Sequence, residues 1–134
     1  ITRPEVYGEK YYNQLIKWFD KNNYEYVLNT KRDISHENIF EYYSQFYICI
    51  RLTEYDGNAN TVQELGCMGI HCIHNGEMPN CLEWSNLNDV KKHIIEKRSE
   101  IGLCNLELAT KVRTLIEKTY YKERWNIHLI NQEI

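Results

Sequence analysis

Two prolines and six glycines in 134 residues leave little from which to build a flexible linker, and no repeat or low-complexity tract breaks the chain. Residues 1–134 are therefore read as one domain, and a 43% hydrophobic content suffices for a single core. An excess of positive charge is also lacking. Sixteen Lys+Arg stand against nineteen Asp+Glu, a formal net charge of -3, which disfavours nucleic acid or an anionic membrane as a partner. Apolar runs such as Phe46 to Ile50 and Ile70 to Ile73 are far shorter than the roughly 20 residues of a spanning helix, so no membrane span is expected.

Paired cysteines are missing as well. Cys49, Cys67, Cys72, Cys81 and Cys104 are odd in number and irregular in spacing, which argues against a disulfide framework. Reduced, packed cysteines fit a cytoplasmic protein, and no basic segment followed by an apolar stretch opens the chain as a signal peptide would. The chain opens on Ile1 rather than Met, so the expectation is a piece of a longer protein. Cys67, His71, Cys72, His74 and Cys81 are metal-ligand types in a short span. Yet no Cys-x-x-Cys pair occurs, and His71 and Cys72 are neighbours on an expected strand and face opposite ways. No metal is expected, and packed cysteines with a rim histidine account for the cluster. A cysteine nucleophile fares no better, because the thiols fall in elements expected to be buried. No Gly-x-Gly-x-x-Gly follows any expected strand, which removes a nicotinamide dehydrogenase. The eleven tyrosines and three tryptophans fall mostly at core positions of helices and strands and read as packing rather than as a sugar platform.

What is present is an alternation of helix and strand. Tyr12, Leu15, Ile16 and Phe19 follow helical spacing from about Gly8 to Asn22, where two asparagines end the helix. Tyr24 to Leu28 is short, aromatic and β-branched and reads as a strand, followed by a polar loop from Asn29 to Ser35. Ser35 is placed to cap a helix carrying Ile39, Tyr42, Tyr43 and Phe46. Phe46 to Leu52 has the continuous apolar character of a strand buried on both faces. A loop leads to a helix from about Thr61 to Met68 that ends at Gly69, and Ile70 to Ile73 forms the next strand. Ser85 or Asn86 opens a helix with Leu87, Val90, Ile94 and Ile95. A longer one from about Asn105 to Tyr120 carries Leu108, Val112, Leu115 and Ile116, and a last helical piece holds Trp125 and Leu129. This order predicts an α/β fold, a parallel sheet with helices on both faces. In such sheets ligands bind beyond the carboxyl ends of the strands, here the loops after Leu28, Leu52 and Ile73.

The most informative of these is Thr53-Glu54-Tyr55-Asp56-Gly57-Asn58-Ala59-Asn60-Thr61-Val62-Gln63-Glu64. A buried strand, a polar glycine-containing loop and a helix whose first turn offers unpaired amides make a ready anion site. Gly57 permits close backbone approach, and Asn58, Asn60 or Thr61 can cap the helix or reach a phosphate oxygen. Asp56 and Glu64 suit sugar or ribose hydroxyls, because an ionised acid accepts two hydroxyl hydrogen bonds at once. The same residues also suit an ordinary surface turn and a solvated helix.

Asp56, seven residues and then Glu64, followed by Leu-Gly-Cys-Met-Gly-Ile-His-Cys-Ile, resembles the acid-to-Glu signature of retaining GT-B glycosyltransferases of the group 1 type. The segment from Ile34 to Ile50 is similar to the helix and strand that precede that signature, and Trp125 resembles a tryptophan of the family's terminal helix. The likeness runs from about Ile34 to Trp125. It implies the Rossmann-like, carboxyl-terminal donor domain, the C-terminal half of a GT-B fold, which holds a UDP or GDP sugar. By position, the resemblance gives Glu64 the ribose hydroxyls and Asp56 the hydroxyls of the transferred sugar. Gly57, Asn58, Ala59, Asn60 and Thr61 would meet sugar and diphosphate, and Arg3 and Lys10 are candidates to steady the leaving diphosphate. Asp at 56 stands where Glu is commoner, His71 where Pro is usual, and Arg3 and Lys10 are spaced more widely than in the family pattern. The resemblance further implies hexosyl transfer without a metal, to an unknown acceptor held by an amino-terminal domain outside these residues. The donor domain alone would then be inactive. The reading from another class is a non-catalytic, glycosyltransferase-like interaction or nucleotide-binding module, and nucleotide binding separates the two.

Overall fold

The computed structural model describes residues 8–28, 37–53 and 59–121. Helix α1 spans Glu9–Lys21 and turns Leu15 and Phe19 inward, as the spacing predicts. Its first residue follows Gly8, whose φ of 75° and contact with the Leu52 carbonyl leave no room for a side chain. The helix ends at Asn22 and Asn23, the latter left-handed at φ 58°.

Among the described residues, the expected strand at 24–28 joins no ladder. Local aromatic packing takes its place. The Tyr24 amide donates to the Phe19 carbonyl, its ring stacks on Trp18 at 5.0 Å, and Tyr26 lies 5.3 Å from Phe19. Val27 and Leu28 are left exposed. The short helix α2 spans Ile39–Tyr43 and starts at Asn38. Ser35, the expected cap, lies outside the described residues, as do the loop 29–35 and the last helical piece with Trp125 and Leu129.

Strands β1 (Ile48–Ile50), β2 (His71–Ile73) and β3 (Cys81–Leu82) form one parallel sheet in that order. β1, expected to be buried on both faces, is only half-buried; among the described residues it is an edge strand. Helix α3 (Asn60–Cys67) crosses from β1 to β2. It ends as the glycine predicts: Gly69, at φ 76°, donates to the Gly66 carbonyl and Ile70 to the Leu65 carbonyl. The link from β2 to β3, residues 74–80, is shorter than the roughly dozen residues usual between parallel strands. Side chains hold it instead. Asn75 donates to the Trp84 carbonyl and accepts from its amide, while buried Asn80 donates to the carbonyls of Val62 and Ile70. β3 has no counterpart among the strands expected from the sequence, since a two-residue ladder carries no alternation to read.

Helix α4 (Leu87–Glu96) begins at Asn86, whose side chain accepts from the Asp89 amide, and runs into a 3₁₀ turn at Lys97–Glu100. Helix α5 (Leu106–Ile116) begins at Asn105, which caps the Leu108 amide, and continues as one π turn, Glu117–Tyr121. Alternate strand residues belong to different clusters. Ile48, Ile50, Ile73 and Leu82 pack with Leu15 and Phe19 of α1 and Val90 and Ile94 of α4. Cys49, Cys72 and Cys81 pack with Val62 of α3 and Leu108 and Val112 of α5. Helices thus cover both faces of a small parallel sheet, the architecture expected of an α/β protein. No helix among the described residues is long and apolar enough to cross a membrane.

Candidate functional site

The carboxyl end of β1 lies beside the start of α1. Tyr12 ties the two together: its hydroxyl donates to the Ile50 carbonyl at 3.3 Å and accepts from the Leu52 amide at 3.0 Å. Burial pushes this phenol up from its ordinary value, so it stays protonated and keeps both bonds. Lys10 therefore stands on the first turn of α1, exposed, its Nζ 4.8 Å from the centre of the Tyr11 ring. The Tyr11 ring in turn meets Trp84 edge-on at 5.2 Å.

On the opposite face α3 begins after Ala59, whose backbone is extended and whose carbonyl accepts from Gln63. Ala59 occupies the cap position, so neither Asn60 nor Thr61 caps the helix as expected; both lie inside its first turn, and Asn58, the other expected cap, lies outside the described residues. Asn60 is exposed and Thr61 half-buried. Thr61 and Glu64 are three residues apart and so share a helix face. Tyr43 of α2 joins them. Its hydroxyl donates to Glu64 Oε2 at 3.3 Å and lies within hydrogen-bonding reach of the Thr61 hydroxyl. Burial, then the Glu64 charge, raises the Tyr43 phenol above its ordinary value, which keeps it a donor.

Of the residues singled out in the sequence, the structure brings Thr61 and Glu64 together and sets Lys10 on the other side of the sheet's carboxyl end. Arg3, Asp56, Gly57 and Asn58 lie outside the described residues. No family model, curated protein or solved structure matches this chain.

Three residues here escaped the sequence reading. Tyr43 carries no motif of its own; its partner is 21 residues away and is reached only through the fold. His74, at the carboxyl end of β2, is 1% exposed and not at the rim. Its Nδ1 lies 3.0 Å from the Arg51 carbonyl, which can only accept, so Nδ1 donates. Neither His74 Nε2 nor Trp84 Nε1 has a hydrogen-bond partner among the described residues. A buried, hydrogen-bond-capable atom gives no signal in a sequence.

The metal-ligand types do not converge: no group of three or more His, Cys, Asp or Glu able to hold a metal occurs among the described residues. The register instead spreads Cys49, Cys72 and Cys81 in a row, one per strand. Hydrogen bonding to Cys49, then burial, pushes the Cys72 thiol up, and burial does the same at Cys67 and Cys81. Such thiols are poor nucleophiles.

Proposed function

We propose that this chain is the donor-binding domain of a retaining GT-B glycosyltransferase, moving a hexosyl group from a UDP or GDP sugar to an acceptor held by another domain. The observation that supports the reading is the Thr61–Glu64 face of α3, the helix that follows β1 of a parallel sheet. In this reading Glu64 accepts hydrogen bonds from the ribose hydroxyls and Asp56 from those of the transferred sugar. The amides of Asn58, Ala59 and Asn60, with the Thr61 hydroxyl, meet the sugar and diphosphate where the positive end of the α3 dipole favours an anion. As the glycosidic bond breaks, charge grows on the departing diphosphate, and Arg3 and Lys10 supply the cations that offset it. The Rossmann-like GT-B topology and a cytoplasmic setting, consistent with free cysteines, belong to the same proposal.

Calorimetric titration with UDP, GDP and their sugars tests this. One nucleotide is expected to bind, and Glu64→Ala to weaken it by about 1 kcal/mol or more, the worth of a hydrogen bond to a charged group. A folded chain that binds none of them overturns the proposal.

A further inference from the structure

Helix α2 is five residues long and buries one side chain, Tyr43. Its ring sits with Leu65 and Ile70, and Ile39, Tyr42 and Met68 pack around it, so the phenol is fixed by its surroundings before any ligand arrives. A glutamate on a half-buried helix face has several rotamers, and a binding carboxylate left to sample them forfeits affinity when it is ordered. The Tyr43 hydroxyl removes that freedom by donating to one Glu64 oxygen, Oε2, and a carboxylate with two oxygens retains further acceptor positions.

We propose that Tyr43 is a positioning residue of the nucleotide site, holding the Glu64 carboxylate in the orientation that receives the two ribose hydroxyls. This rests on the donor-domain reading and adds to it a residue outside the acid-to-Glu signature. A tyrosine suits the task because its hydroxyl donates once and its ring anchors the donor. Phenylalanine at this position keeps the ring and its packing and removes only the donor.

The test compares the whole chain with Tyr43→Phe, Glu64→Ala and the double variant. Each is titrated with UDP, GDP and their 2′,3′-dideoxy counterparts. Tyr43→Phe is expected to weaken the bound ribonucleotide about 3- to 10-fold, leave the dideoxy form unchanged, and add nothing in the Glu64→Ala background. Equal weakening of both nucleotides marks a structural strut and overturns the inference. Unchanged binding in Tyr43→Phe beside a loss in Glu64→Ala overturns it while the donor reading stands. A folded wild-type chain that binds no nucleotide overturns both. A second measurement needs no ligand. The phenol ionisation of Tyr43, followed by NMR of ring-labelled tyrosine, should move to lower pH in Glu64→Gln, and an unmoved titration counts against the contact itself.

Discussion

Single residues in this molecule decide how neighbouring elements meet. Asn80 is fully buried and donates to the Val62 carbonyl in the first turn of α3 and to the Ile70 carbonyl just past its end. Gly66 lies against the Asn80 amide, where a methyl group would stand 2.7 Å from Oδ1, so helix and link fit only with glycine there. His71 is buried on β2. Burial, then the positive charge of Lys97, hold its imidazole below the ordinary 6.5, against the pull of Glu100 at 3.2 Å, and His93 adds to the downward push. The unfolded chain therefore takes up this proton before the folded one does. The contribution of His71 to stability is fully present above pH 6.5 and is lost as pH falls through the lower folded value. Urea unfolding across pH should show a stability difference between wild type and His71→Gln that is flat above about pH 6.5 and declines below it. A difference that grows on acidification would mean that Glu100, not burial, governs the imidazole.

At the scale of elements, helices are specified by their ends as much as by their faces. Asn86 accepts from the Asp89 amide at 3.0 Å while Asp89 Oδ2 accepts from the amide of Ser85, the residue before the cap, at 2.8 Å, and the two bonds close the first turn of α4. Removing the cap with Asn86→Ala should cost about 1 kcal/mol, read as a lower urea midpoint with an unchanged slope. A change within about 0.3 kcal/mol would show that the packing of Val90 and Ile94 alone sets the helix start. Features of this kind explain what the sequence made legible. Asn86 and Gly69 act within a few residues of themselves, and the apolar spacings of α1, α4 and α5 are local, so these elements could be read before the fold was known. The β-strand expected at 24–28 failed for an equally local reason, since its aromatic rings had closer partners on α1 than in any sheet. β3 was illegible because its two ladder residues depend on Asn75 and Asn80, whose hydrogen bonds exist only after the chain has turned back. At the candidate site the carboxylate pair expected from the sequence, Asp56 with Glu64, falls partly outside the described residues, whereas Tyr43 and the buried His74 needed the tertiary structure.

For the molecule as a whole, the consequence of a sheet covered on both faces is a graded burial of its thiols. All five cysteines are free. Cys104 is exposed ahead of α5, Cys49, Cys67 and Cys81 are partly covered, and Cys72 at the centre of the row is inaccessible. Arg113 links the two helices, donating from α5 to the Cys67 carbonyl on α3 at 2.9 Å. A thiol reagent at neutral pH should therefore label Cys104 fast. It should reach Cys72 only through whole-domain unfolding, at least about a thousandfold more slowly for a domain of ordinary stability. Cys104→Ser is expected to delete the fast phase and leave the slow one, and mass spectrometry of the labelled peptides assigns each phase. If Cys72 is instead labelled on the timescale of Cys49 and Cys81, α3 and α5 lift from the sheet without global unfolding. The face that carries Thr61 and Glu64 would then be a mobile cover, and a nucleotide bound there would slow the labelling of Cys72 by clamping α3 to β2.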